Sequence, residues 1–141
     1  MADFKRRLRR LQILRLRFDE RQRREAHTLA GLLSAVVDAE RLLDELQKLR
    51  LHYADLEAIQ GMSALTLSGI RRKLGELAQA RTEQTRQVEW LHEERTRAMT
   101  LVQTLRLRVE HIDQLISETK VASRVAIERA QEQALSPRWR Q

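Results

Sequence analysis

No cysteine occurs among the 141 residues, which excludes disulfides and zinc-thiolate sites and is easiest to reconcile with a reducing cytoplasm. Four glycines and a single proline leave few places for the chain to turn. Aromatic residues make up only 4%, too few large side chains to fill an ordinary globular core. No run of about 20 apolar residues is present, so no membrane-spanning helix is expected. The opening "MADFKRRLRRLQILRLRF" carries basic residues through its apolar stretch and has no small-residue cleavage site, so it does not read as a secretory signal. A soluble protein without direct membrane insertion is the expectation.

What the chain has in abundance is charge and good helix formers. Charged residues reach 33%, and Leu, Arg, Glu, Gln and Ala dominate both halves. The net charge of +7 is unevenly spread. Residues 1–25 hold ten Lys/Arg against four Asp/Glu (+6), residues 26–60 three against six (−3), and residues 64–141 fourteen against ten (+4). A basic end of this kind suits nucleic acid, an anionic membrane or an acidic protein surface, and charge alone does not choose among them.

Periodicity gives the fold class. From Ile70 the chain follows an alternating 4,3 spacing through Leu74, Leu77, Arg81, Gln84, Val88, Leu91, Arg95, Ala98, Val102, Leu105, Val109, Ile112, Ile116, Thr119, Ser123, Ala126 and Ala130, and thirteen of these eighteen positions are apolar. A period of 3.5 sustained that long predicts a left-handed coiled-coil seam. The first arm is looser: Leu8, Leu11 and Phe18, the polar stretch "DERQRREAH", Leu29, Leu32, Val36, Ala39, Leu43 and Leu46, then Leu49, Tyr53 and Leu56. The step from Leu43 to Leu46 reads as a stammer.

Between the arms lies "HYADLEAIQGMSALTLSGIRRKL". Gly61 suits a left-handed C-cap, and Ser63, Thr66 and Ser68 are candidate N-caps. The expectation is therefore an all-α, long antiparallel two-helix coiled-coil hairpin forming one domain over residues 1–141, monomeric, with helix 1 at about 4–60, a joint at about 61–66, helix 2 at about 67–135 and a flexible tail over 136–141 that contains Pro137. Paired residue numbers should add to about 125, placing Val36 near Val88, and the arms should make a rod roughly 85 Å long. The polar stretch of arm 1 falls opposite "AMTLVQTLRLRV", where Met99, Leu101, Val102, Leu105 and Leu107 call for cover from a partner or a slipped register.

Catalytic chemistry finds no footing. There is no Gly-rich phosphate loop and no Ser/His/Asp or Cys/His set that two helices could gather around a pocket, so no enzyme and no cofactor are expected. Glu89 and His92 form one Glu-x-x-His, the spacing of di-iron bundles, but such sites need two copies and more carboxylates. No metal site is expected, and a solvated helix face is the plainer reading. "FKRRLRRLQILRLRF" is the sharpest binding candidate, with Phe4, Leu8, Leu11 and Phe18 on one face and arginines around the rest. Basic helices that grip DNA work as symmetric pairs, whereas a hairpin sets a different segment beside this one. Trp90, next to the Leu91 seam position, is expected to be partly buried, and Trp139, between two arginines in the tail, is a further candidate anchor.

The pattern resembles the small stalk proteins of bacterial type III secretion, found in flagellar export and in virulence injectisomes. The matching pieces are "RRLQILRLRFDERQRRE", then "LAGLLSAV", the arm end "LRLHYADLEAIQ", a Met/Ser joint, and "IRRKLGELAQAR". The resemblance implies a shaft like that of rotary ATP synthases, located in the bacterial cytoplasm at the inner-membrane export apparatus. Its paired termini would enter a hexameric secretion ATPase and its joint would reach the export gate, with secretion chaperones as further partners and no nucleic acid. Arg6, Arg7, Arg9, Arg10 and Phe18 are then the expected ATPase-binding residues. Leu46, Leu49, Tyr53, Ile70, Leu74, Leu77 and Arg81 match the gate-binding positions in spacing. The "LRLRFDERQRRE" start leans toward the injectisome branch. A DNA- or membrane-surface-binding coiled coil acting through the basic N-terminal helix is the alternative.

Overall fold

The computed structural model describes the backbone of residues 2–139 and the side chains of residues 2–135. Two helices account for nearly all of it: α1, Ala2–Glu57, and α2, Ala64–Trp139. They pack as an antiparallel hairpin with no strand among the described residues. By spatial grouping the chain forms two units, one of residues 1–26 with 100–141 (the terminal unit) and one of residues 27–99 (the joint unit).

Every buried residue of α2, namely Ile70, Leu77, Leu91, Ala98, Leu105, Val109, Ile112, Ile116 and Thr119, occupies one of the eighteen 4,3 positions. The α1 seam corrects the looser reading. Its half-buried and buried positions are Phe4, Leu8, Leu11, Arg15, Phe18, Gln22, Glu25, Leu29, Leu32, Val36, Ala39, Leu43, Leu46 and Tyr53. These follow the same alternation without a break, save one exposed position at Arg50. No stammer exists between Leu43 and Leu46. The apparent break came from taking the apolar but exposed Leu49 in place of Arg50, and earlier in the arm a count of apolar residues alone skips Arg15, Gln22 and Glu25, whose aliphatic stems fill seam positions.

In the joint unit, Val36, Ala39 and Leu91 form a buried cluster against which Leu32, Ala35 and Val88 pack, so Val36 and Val88 share one cluster, in keeping with the hairpin register. Gln84 Nε2 donates to the Ala39 carbonyl at 3.0 Å. His92 Nε2 and Glu40 Oε1 meet at 2.8 Å, and Arg71 reaches Glu57 at 3.6 Å. In the terminal unit, Leu105 is the most deeply buried side chain at 1% exposure. Leu101 and Val102 are half-buried, whereas Met99 and Leu107 face outward, so the supposed excess of apolar residues divides into seam and surface. Thr119, buried in the seam, satisfies its hydroxyl by donating to the Leu115 carbonyl at 2.7 Å.

The joint comes earlier than expected, over residues 58–63. Ala58 N–H still bonds the Ala54 carbonyl, and Ile59 N–H then bonds the Leu56 carbonyl, a tightening that closes the last turn of α1. Gly61 does adopt left-handed backbone, φ 88°, but as a turn residue beyond the helix end rather than its cap. Among the three candidate caps Ser63 takes the role: its Oγ accepts from Thr66 N–H at 3.2 Å and contacts the Thr66 hydroxyl at 2.8 Å. The first helical residue is thereby set at Ala64. At the other end α2 runs on to Trp139 instead of stopping near Leu135. Pro137 lies in the final turn of α2, where its missing N–H leaves one hydrogen bond unmade. Of the expected flexible tail, Arg140 and Gln141 lie outside the described residues, as does the side chain of Trp139.

Candidate functional site

Two surfaces carry the candidate residues. In the terminal unit, helical spacing turns Arg6, Arg7, Arg9 and Arg10 outward, and all four are exposed. None of them takes part in an ion pair among the described residues. Arg6 and Arg9 join Lys5, Leu8 and Gln12 along one shallow groove. Phe18 is different. It sits half-buried in the seam with the Arg108 guanidinium 5.6 Å from its ring centroid, a cation–π contact that already engages its face. Nearby, Arg15 makes an ion pair with Asp113; the hydrogen bond and charge of that carboxylate raise the arginine's pKa above its ordinary value.

In the joint unit, burial separates the seven residues matched by spacing. Ile70 and Leu77 are buried in the seam. Leu46, Tyr53, Leu74 and Arg81 are half-buried, and Leu49 is exposed. The Tyr53 ring also meets that of His52 edge-on, 5.7 Å between centroids. The fold therefore brings most of this set together as seam and leaves Leu49 as its open apolar surface. Sequence reasoning passed over two residues that the joint displays more fully, Ile59 and Leu65, the latter 86% exposed. Their signal was present: both are large apolar residues off the 4,3 spacing, beside a capped helix start. Trp90, beside the seam residue Leu91, is about half exposed, 53%.

The Glu-x-x-His motif does not form a ligand set, because His92 turns to Glu40 of α1. No group of three or more His, Cys, Asp or Glu suited to a metal occurs among the described residues. No described helix is long and apolar enough to cross a membrane.

Charge divides along the same units. By sequence the terminal unit holds seventeen Lys/Arg against nine Asp/Glu, +8, and the joint unit ten against eleven, −1.

Residues 4–136 match the family model described as Flagellar FliJ protein. No curated protein and no solved structure matches the chain. The match lies on the flagellar side, where the Arg-rich start had leaned toward the injectisome; arginine-rich heptads carry no mark of either system. The family serves flagellar type III protein export, in association with the export ATPase complex, as a structural, chaperone-like component rather than an enzyme. With the match spanning nearly all of α1 and α2, the chain belongs to the flagellar FliJ family.

Proposed function

We propose that this protein is the central stalk of a flagellar export ATPase, its terminal unit entering the ATPase hexamer and its joint unit meeting the cytoplasmic part of the export gate. The observation that carries this reading is the charge partition, +8 in the unit that gathers both termini and −1 in the other. A concentrated positive field speeds docking onto an acidic ring interior and fixes which end enters. Two unequal helices inside a six-fold ring touch its subunits unequally, which links the states of neighbouring ATPase sites. Arg6, Arg7, Arg9 and Arg10 are the outward contacts on this reading, and Phe18 supports them from the seam. At the joint, Leu49 and Tyr53 are the gate contacts, joined by Ile59 and Leu65, while Ile70, Leu74 and Leu77 hold the helices that present them. Secretion chaperones would dock on exposed apolar residues of the same hairpin.

Stimulation of the purified hexamer by the full chain tests the assignment. Replacing Arg6, Arg7, Arg9 and Arg10 with Ser should weaken stimulation several-fold at a fixed stalk concentration, with recovery at higher concentration, because a rim of charges acts mainly on association. Unchanged stimulation removes the basic segment from the mechanism. Tyr53→Ala should leave stimulation intact and reduce gate binding and secretion; normal secretion by that variant overturns the gate contact alone. The +8 unit also suits a polyanion, so salt-dependent binding to duplex DNA without any ATPase stimulation would favour the alternative reading.

A further inference from the structure

The joint unit contains an open groove of about 540 Å³ between α1 and α2. Arg50 of α1 and Arg81 and Arg86 of α2 line it, together with Thr82, Thr85 and Glu89. None of the three arginines makes an ion pair among the described residues. The carboxylates in the adjoining groove that shares Arg81, Glu40 and Asp44, are already engaged, with His92 and Lys48 respectively. Thr82 and Thr85 donate their hydroxyls to the Ala78 and Arg81 carbonyls of their own helix. The groove thus offers guanidinium forks over a largely apolar threonine and alanine wall, with Glu89 as its single carboxylate.

From this geometry we infer that the groove is a docking site for a short acidic polypeptide segment. Guanidinium forks match carboxylates bidentately. Arg81 and Arg86 are five residues apart on one helix, about 7.5 Å along its axis, which corresponds to carboxylates four or five residues apart on an approaching helix. Extended polyanions are disfavoured by the surroundings. Duplex DNA and anionic bilayers draw their affinity from many basic contacts, and so from the field over a surface much wider than this groove. Over the joint unit that field comes from a net charge of −1. Such ligands would choose the terminal unit. A short carboxylate segment senses only the three local arginines. The inference does not depend on the stalk assignment, since it concerns what the chain alone binds.

The probe is a fluorescein-labelled, alanine-rich helical peptide with glutamates at i, i+4 and i+8, titrated with the full chain at about 0.15 M salt and followed by anisotropy. Arginine Nε–Hε resonances report the location of binding. Replacing Arg50, Arg81 and Arg86 together with Gln should weaken binding by about tenfold or more, since each charged hydrogen bond is strong. Replacing the exposed Arg17, Arg21 and Arg129, an equal loss of charge in the terminal unit, should change it less than about twofold. The triple Arg→Lys variant keeps the charge and the fold, and should lose about threefold because the fork is gone. Resonances of Arg50, Arg81 and Arg86 should shift on binding. Equal losses in the two Gln triples, a Lys triple that binds as tightly as the native chain, or absence of peptide binding would each overturn the proposal. So would duplex DNA or phosphatidylglycerol vesicles moving these three resonances when the peptide does not. If the Gln triple loses helicity by circular dichroism, the Lys triple and the resonances decide.

Discussion

The terminal and joint units share one seam pattern and fill it in opposite ways. In the terminal unit α1 sets Arg15, Gln22 and Glu25 into its seam, beside Phe4, Leu8, Leu11 and Phe18, while α2 supplies Val102, Leu105, Val109, Ile112 and Ile116, with Thr119 and Ser123 as its polar members farther along. In the joint unit the roles reverse: α1 brings Leu29, Leu32, Val36, Ala39, Leu43 and Leu46, and α2 brings Arg81, Gln84 and Arg95. Polarity therefore changes helix along the seam. Each polar set meets an apolar partner, whose surface the long polar stems can cover. A shift of register would set polar against polar in places and apolar against solvent in others, so the exchange specifies alignment much as a buried polar residue does in simpler coiled coils.

The largest effect expected from breaking this arrangement is at Leu105, the deepest apolar side chain of the terminal unit. Leu105→Ala should cost about 3 kcal/mol, the transfer term of the lost methyl groups plus the cavity they leave. Leu107→Ala, two residues on but 61% exposed, should stay within about 0.5 kcal/mol. Urea unfolding followed by circular dichroism distinguishes them. Equal costs would mean that the seam is not where the alternation puts it.

Replacing a polar seam member sharpens the comparison from the other side. Arg95 is half-buried, and its Nε is buried without a hydrogen-bond partner. Arg95→Leu should therefore raise stability by about 1 kcal/mol, since an unpaired buried donor is costly and a leucine suits an apolar α1 face. A loss of stability would show that the guanidinium is worth more to the joint unit through its exposed nitrogens than it costs through its buried one.

The α2 seam was fully legible because thirteen of its eighteen members are apolar, so hydrophobic spacing alone traces it. The α1 seam was half legible. Arg15, Gln22 and Glu25 occupy it by packing their stems, and no hydrophobicity scale marks them as seam residues. The joint was placed three residues late because Gly61 drew the boundary to itself, whereas the Ser63 and Thr66 hydroxyls set the actual start of α2. Exposure around the joint was the least legible feature. Spacing gathered Ile70 and Leu77, which the seam buries, and passed over Ile59 and Leu65, which stand exposed, because a surface is read from residues that break the period rather than from those that keep it.

Two glycines of the joint unit test the same distinction between local and seam energetics. Gly61, at φ 88°, should lose about 1 kcal/mol on substitution by Ala, because an L side chain resists the left-handed region. Gly75 lies inside α2 with no atom within 4 Å of where a Cβ would stand. Gly75→Ala should gain about 0.5 to 1 kcal/mol through helix propensity. Thermal unfolding of both variants at one protein concentration measures the opposed signs, and a gain at Gly61 would mean that the turn is not held in that conformation.

The smallest effect concerns the pair between Glu40 of α1 and His92 of α2. Their side chains meet at 2.8 Å but are 36% exposed at His92 and 52% at Glu40, so water competes for both groups. A double-mutant cycle through Glu40→Ala, His92→Ala and the double variant should give a coupling of about 0.5 kcal/mol or less. The pair would then be a consequence of the register, brought together because Ala39 and Leu91, the residues immediately before them, are already packed with Val36. A coupling well above 1 kcal/mol would reverse that order. It would make the contact a cause of alignment in the joint unit, comparable in weight with the burial of Val36, Ala39 and Leu91 beside it.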